Sequence, residues 1–150
     1  MGRVYNVFAG AAFNPAANDY VFRVLAAAER EFLVKRIWMT SLDTAGATVT
    51  EVVISRCTSV GAAGTACTQT PMNQNDAAGA FDADYNIGAS APGGLVGAWR
   101  GHWNPQVPFD LVFGPGDELV IPGATDEGFC IQVTTDPSTG LLVGATLEER

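Results

Sequence analysis

Histidine is almost missing from this sequence, and the shortage narrows the chemistry that the chain can perform. Its 150 residues include a single histidine, His102. A histidine-based metal site needs two or more such side chains, and a histidine base needs an orienting carboxylate and a nucleophile. No spacing relates His102 to such partners, and no catalytic motif is present. We therefore predict that the protein is not an enzyme and has no catalytic residue, metal ligand or cofactor.

Basic residues are scarce as well. Lysine and arginine number eight against sixteen acidic residues, which gives a formal net charge of −8. Such a balance repels phosphate backbones, and no basic cluster counters it, so we expect no nucleic-acid partner. No apolar run approaches the roughly 20 residues that cross a bilayer, and the first residues lack the pattern of a signal peptide. We expect no membrane partner and synthesis in the cytoplasm.

Charge of either sign is sparse, because only 16% of the residues are charged whereas 47% are apolar. This composition is too apolar for a disordered chain. A weakly charged surface suits a protein that lies against other protein. A genome that favours alanine and glycine would produce the same composition, so both explanations stay open.

Three cysteines, Cys57, Cys67 and Cys130, are a poor basis for a disulfide framework. Cys57 and Cys67 could close a short loop if oxidised, but we interpret the thiols as small apolar groups of the interior. Acidic pairs are equally uninformative. Asp82 and Asp84 would share one face of a strand and, with further oxygen ligands, could hold calcium; we interpret them as solvated carboxylates.

Strand-forming runs separated by turn residues are what the sequence has in abundance. Valine, isoleucine, phenylalanine and threonine concentrate in the ranges 20–25, 32–39, 48–57, 107–113, 129–133 and 141–147. Several of these runs alternate with period two, as half-buried strands do. Helix propensity would also allow a helix over 22–34, but its flanks favour two strands joined by a turn at 27–30. We predict nine or ten strands in an all-β, single-domain antiparallel β-sandwich that is jelly-roll-like.

Two tryptophans stand close together in one of the strand candidates. On a strand, Trp99, Gly101 and Trp103 share one face, so the two indoles flank a glycine. Such a face could bind sugar or pack against a second subunit, and core packing is a third explanation. We expect His102 at the surface or at a subunit interface beside them.

Three blocks of the sequence resemble a group of small proteins that tailed phages and prophages encode near their head genes. The blocks are Pro71-Met72-Asn73-Gln74-Asn75-Asp76-Ala77-Ala78, Arg100-Gly101-His102-Trp103-Asn104 and Pro115-Gly116-Asp117-Glu118-Leu119-Val120-Ile121-Pro122. A closing strand, 128–133, and a terminal strand follow in the same order. The resemblance covers most of residues 20–148 and is carried by turn-and-strand patterns without catalytic content.

The resemblance implies a virion component on the capsid surface. Such a protein would be a decoration (cement) protein with a jelly-roll sandwich similar to tumour-necrosis-factor-like trimers. It would bind the major capsid protein as a homotrimer, with Trp99, His102 and Trp103 as candidate trimer-interface residues. The rival hypothesis is a carbohydrate- or receptor-binding sandwich of a phage fibre, in which Trp99, Trp103 or Tyr85 stacks against sugar.

Residues 1–19 match the family least, and we expect them to form an N-terminal arm or the first strand, ahead of a sandwich domain at 20–150. As an arm, this segment would add a strand to the edge of a capsid sheet. The candidate capsid-contacting residues are Arg3, Val4, Tyr5, Val7 and Phe8. This hypothesis predicts that deletion of residues 1–18 abolishes binding to the head and leaves the fold intact.

Overall fold

The computed structural model describes residues 2–26, 30–42 and 46–150, and every regular element in these ranges is a β-strand. No helix in this part of the chain has the length and apolar character to cross a bilayer. The twelve strands are β1 (Arg3–Phe8), β2 (Tyr20–Ala26), β3 (Phe32–Ser41), β4 (Thr50–Cys57), β5 (Thr65–Ala66), β6 (Thr68–Pro71), β7 (Phe81–Gly88), β8 (Val96–Trp103), β9 (Phe109–Val112), β10 (Leu119–Ile121), β11 (Gly128–Val133) and β12 (Leu141–Glu149).

The strands form two antiparallel sheets, which we name the β1 sheet and the β2 sheet. In the β1 sheet the order is β10-β3-β12-β1-β6, with β9 also paired to β3. In the β2 sheet the order is β5-β7-β2-β11-β4-β8. The order β3-β12-β1 beside β2-β11-β4-β8 means that the chain repeatedly crosses between sheets, so the architecture is a jelly-roll-like sandwich. The predicted all-β sandwich is confirmed.

The core lies between the two sheets and is built by alternation along the strands. In β12, Leu141, Val143, Ala145 and Leu147 are fully buried, as the period-two pattern predicted. The β2 sheet contributes its own alternate positions to the same cluster. The largest fully buried side chains are Tyr5, Phe22, Phe32, Phe129, Leu33, Ile37, Met39, Ile54, Ile121, Ile131, Leu141 and Leu147.

Two strands replace the alternative helix over 22–34. β2 and β3 occupy the two predicted strand runs, whereas residues 27–29 of the predicted turn lie outside the described residues. The two strands belong to different sheets. Arg30, the last residue of the predicted turn, is described and exposed, and its Nη1 lies 3.2 Å from Oε1 of Glu149 in β12.

The predicted number of nine or ten strands is too low. The polar excursion after Cys67, expected as an elaborate connection, contains the short strand β6 and leads into the full strand β7. The run at 107–113 stops at Val112, and β10 begins only after the turn at 114–117, so one edge position of the β1 sheet is filled by two strands. The strands that the sequence did not predict include β5, β6 and β10, which have two to four residues and are too short to show an alternating pattern.

The N-terminal segment is the first strand and not a free arm. β1 lies inside the β1 sheet, where it pairs with β12 along Arg3–Phe8 and with β6 on its other side. Tyr5 and Val7 are fully buried. The structure argues against the expectation that residues 1–18 can be removed without loss of the fold, because the segment supplies both core side chains and a central ladder.

Candidate functional site

Strand β8 carries the residues that the sequence singled out, and it lies at an edge. In the part of the chain that the structure describes, β8 pairs with β4 alone. Trp99, Gly101 and Trp103 share its inner face, opposite Ile54, Val52 and Thr50 of β4, as the spacing predicted. Both indoles pack edge-on against Phe109, with ring centroids 5.5 Å and 6.2 Å away.

Trp103 belongs to the core and leaves little surface for stacking or for contact with a second subunit. It is 4% exposed, and its indole Nε1 donates a hydrogen bond to the carbonyl oxygen of Val107 at 2.8 Å. Tyr85, the other proposed sugar platform, is 7% exposed and packs against Phe13. Core packing, one of the explanations left open by the sequence, therefore accounts for both side chains.

His102 lies apart from the two tryptophans because side chains alternate along a strand. It is exposed and stands opposite Glu51 of β4 on the outer face of the β2 sheet. The neighbouring outward side chain, Arg100, pairs with Glu51 through Nε and Oε1 at 3.0 Å. The structure does not bring His102 together with Trp99 and Trp103 into one site.

Of the three side chains proposed to stack against sugar, Trp99 is partly exposed, whereas Trp103 and Tyr85 are buried. The Trp99 ring lies over Gly101, where an added Cβ would approach the indole to 2.6 Å, so the glycine makes room for this orientation. Two open grooves adjoin the strand here. The inner groove, about 350 Å³, runs between β8 and the segment at 113–119; the outer groove, about 590 Å³, lies on the opposite face of the β2 sheet. Trp99 lines both.

Arg56 is an unexpected feature of the inner groove. Seven of the eight lysines and arginines form an ion pair. Arg56 pairs with no carboxylate that the structure describes, and it lies exposed at the end of β4 beside an apolar floor. The floor is formed by Ile54, Trp99, Phe113 and Leu119. An exposed cation above apolar surface can attract a carboxylate attached to an apolar group.

The acidic wall of the same groove is held in place by Lys35. Its Nζ lies 2.9 Å from Oε1 of Glu118 and 2.8 Å from Oε2 of Glu148. The hydrogen bond from Lys35, aided by the backbone N–H groups of Glu118 and Gly116, lowers the pKa of Glu118 to about 2. The two carboxylates in turn raise the pKa of Lys35. Glu118 is thus occupied by Lys35 and leaves Arg56 unpaired.

We expect a dependence of stability on pH from Glu118. Its pKa is about 2 in the folded state against an ordinary value of 4.5. Its contribution is therefore present above pH 4.5 and is lost as pH falls toward 2. Urea unfolding midpoints of the wild type and the Glu118→Gln variant should converge between pH 4.5 and 2. A gap that stays constant over this range would contradict the pairing.

A second exposed surface covers the outer face of the β1 sheet, and we name it the β1-sheet face. It consists of the outward side chains Asn6, Phe8, Arg36, Trp38, Thr40, Asp110, Val112, Leu142 and Thr146. The charged members, Arg36 and Asp110, pair with each other at 2.7 Å. Trp38 lies flat on the sheet, since a Cβ on Gly144 would meet its ring at 2.4 Å. This face is broad, aromatic at its centre and free of net charge.

The five predicted capsid-contacting residues divide between the two faces of β1. Tyr5 and Val7 point into the core. Val4 and Phe8 are partly exposed, and Phe8 belongs to the β1-sheet face. Arg3 reaches the buried Glu149 at 4.0 Å. Only the outward positions remain open to contact with another protein.

The sequence contains a signal for two residues that the prediction missed, Trp38 and Arg56. Trp38 stands between Ile37 and Met39 in a run predicted to alternate, so two buried neighbours place it on the outer face. Arg56 shares a face with Val52 and Ile54, and it is unusual as the charged end of an apolar face. Neither residue was singled out because the partners that make them distinctive, Gly144 and the 113–119 segment, are distant in sequence.

Cys57, Cys130 and the acidic pair Asp82/Asp84 lie on the outer face of the β2 sheet, whereas Cys67 packs against the core. All three cysteines are free thiols, and Cys57 lies beside Cys130 rather than Cys67. A hydrogen bond from Cys130 lowers the pKa of Cys57 and raises that of Cys130. Burial raises the pKa of the Cys67 thiol to about 12. Asp82 and Asp84 do share a face, but Asp84 pairs with Arg23, and no cluster of three metal-ligating residues occurs in the described ranges.

Comparison of the sequence with models of known protein families and with curated proteins finds no match.

Proposed function

We propose that the protein is a structural virion component that decorates an icosahedral phage head. It binds the major capsid protein from outside as a homotrimer and clamps neighbouring capsid subunits against the pressure of packaged DNA. The clamp needs no cofactor, and its strength comes from many modest contacts repeated by symmetry. The capsid partner is supported by the three sequence blocks that resemble phage head proteins.

The observation that carries the assembly role is the β1-sheet face. Trp38, Phe8 and Leu142 present partly exposed apolar surface at its centre, and Val112 is 66% exposed. Surfaces at the centre of protein interfaces are depleted of charge and enriched in aromatic side chains. An extended patch of this kind on a soluble protein marks an interaction site. We assign the contacts between copies to this face, in place of Trp103.

A single charge placed on this face should dissociate the trimer. Val112→Lys adds a cation beside Arg36 in the β1-sheet face, where a second subunit would have to bury it. Light scattering should give about three times 15.7 kDa for the wild type and 15.7 kDa for the variant. Val49→Lys is the matched control, since Val49 is 51% exposed and outside the face. A monomeric wild type, or a trimer that survives in Val112→Lys, contradicts the assignment.

Binding to the capsid is tested directly with purified undecorated heads. The wild-type protein should co-pellet with heads and remain in the supernatant without them. The Val112→Lys variant should bind more weakly, because loss of the trimer removes multivalency. A folded trimer that stays in the supernatant would contradict the capsid role.

The second candidate function is a carbohydrate- or receptor-binding module of a phage fibre. Trp99 favours it, because a partly accessible indole next to two grooves can stack on a sugar ring. Because Trp103 and Tyr85 are buried, Trp99 is the one proposed aromatic residue that could still stack against a sugar in this module. A glycan array followed by titration of tryptophan fluorescence decides the matter: a saturable, Trp99-dependent response supports the module, and no response removes it.

A further inference from the structure

We infer that the free edge of β8 binds an extended peptide segment of another protein as an added strand, selected by Arg56 for a carboxylate next to an apolar side chain. The identification of that protein as the major capsid protein rests on the proposed function. The binding mode itself rests on the geometry around β8.

β8 is an edge strand of the β2 sheet. It pairs with β4 on one side only, and the chain offers no second partner for it among the described residues. The half from Val96 to Ala98 carries small or short side chains and is exposed. Natural edge strands are commonly blocked by charge, proline, a β-bulge or a covering loop. This half of β8 carries no charge and no proline. It has one bulge, at Ala98, which an added strand would have to accommodate.

The two grooves lie where the side chains of an added strand would point. Successive side chains of a strand alternate between the faces of its sheet. A strand added to β8 would therefore direct one set into the inner groove and the other into the outer groove, with Trp99 lining both. Main-chain hydrogen bonds would provide affinity, and pockets for alternate side chains would provide specificity. A sugar ring would fill one groove only.

The inner groove is lined by Arg56 and by the carboxylates Asp117 and Glu118, of which Glu118 is paired with Lys35. The charged residue that lies in register with the added strand is Arg56. It stands opposite Val96 in the β4–β8 pair, so the incoming residue next to Val96 is two strand spacings, roughly 10 Å, from the Arg56 backbone. A carboxylate side chain and the guanidinium can meet across that gap. The next inward position of the added strand lies beside Trp99, above Phe113 and Leu119, and takes an apolar side chain. The preferred segment thus has an acidic residue near an apolar one.

The probe is a display library of random ten-residue peptides, selected on the immobilised full chain. We expect enrichment of proline-free peptides that carry an acidic residue two or three positions from an apolar one. In hydrogen exchange, the amides of 96–103 should gain protection when such a peptide is added. A library that yields no binder, or binders that protect amides elsewhere, overturns the inference.

Two variants locate the binding. Ala98 has no Cα partner in β4, because it is the extra residue of the bulge in β8. Ala98→Pro therefore places a proline in the edge strand at the position where it disturbs the pairing with β4 least. Arg56→Glu reverses the selecting charge, and Arg150→Glu makes the same change outside both grooves. Ala98→Pro and Arg56→Glu should each raise the dissociation constant of the selected peptide at least about tenfold, whereas Arg150→Glu should leave it unchanged. Unchanged affinity in Arg56→Glu overturns the selection by charge, and thermal unfolding checks the fold of each variant.

The outcome separates this inference from the capsid role. Peptide binding at β8 without binding to heads leaves the inference intact and removes the capsid as the partner. Heads that bind Ala98→Pro and wild type equally well, with no peptide selected, overturn the inference and leave the decoration role standing. A change of oligomeric mass in Ala98→Pro would show that a second copy occupies the edge, which also overturns it.

Discussion

Deletion of residues 1–18 should abolish the folded state. The deletion removes β1 from between β12 and β6 and takes the fully buried Tyr5 and Val7 out of the core. It also removes Phe13, which bridges to Leu141. Truncation of one buried aromatic residue alone costs about 3–5 kcal/mol, and a domain of this size has only about 5–15 kcal/mol of total stability. Urea titration followed by near-ultraviolet circular dichroism should show no cooperative transition.

Point variants in β1 separate the core from the surface of the same strand. Tyr5 packs edge-on against Phe81 at 5.4 Å, and its hydroxyl donates to the carbonyl of Ala77 at 2.9 Å. Tyr5→Ala should lower the free energy of unfolding by about 3–5 kcal/mol. Asn6→Ala, next to it but directed outward, loses a hydrogen bond from Thr146 and should cost about 1 kcal/mol. A truncated chain that still unfolds cooperatively would restore the arm hypothesis.

The sandwich could be predicted from the sequence because its evidence is local. Alternation over 141–147 and 129–133 reports which side chains face the core, and turn residues report where strands end. The pairing of strands is different, since it depends on residues far apart in the chain. Nothing in residues 3–8 alone indicates that they lie between β12 and β6, and the least familiar segment was therefore interpreted in part as a free arm.

The sequence predicted which residues of the candidate site share a strand face, but it did not predict which of them are buried. The spacing of Trp99, Gly101 and Trp103 correctly placed them on one face, but spacing does not state whether that face meets the core. Phe109 and the carbonyl of Val107 bury Trp103, and both lie beyond a turn. The β1-sheet face could not be assembled from the sequence, because its members come from β1, β3, β9 and β12.

Replacement of Arg23 by leucine should cost about 3–5 kcal/mol of stability, because it leaves a carboxylate unpaired in a partly buried position. Arg23 is 3% exposed and is held on the outer face of the β2 sheet. Its guanidinium pairs with Asp84 and donates to the carbonyl oxygens of Val60 and Ala62, the latter at 2.7 Å. One side chain thus fastens the loop at 58–64 to the sheet. Urea unfolding monitored by tryptophan fluorescence measures the loss.

An exposed pair on the outer face of the β2 sheet is the matched control. Arg100 and Glu51 lie 3.0 Å apart, and their side chains are 67% and 25% exposed. Solvent screens such a pair, so Arg100→Leu should change the free energy of unfolding by about 0–1 kcal/mol. Equal losses in Arg23→Leu and Arg100→Leu would show that burial does not determine the effect.

The double variant Arg23→Leu/Asp84→Leu identifies the cause of the loss. If the unpaired carboxylate is responsible, removal of both charges should recover most of the stability, because apolar replacements of a buried pair are often neutral. If the loss comes instead from release of the 58–64 loop, the double variant stays as unstable as Arg23→Leu, since Val60 and Ala62 still lack their donor. We expect the double variant to recover most of the stability that Arg23→Leu loses. The stability that is not recovered measures the two hydrogen bonds to the carbonyl oxygens of Val60 and Ala62, each worth about 1 kcal/mol.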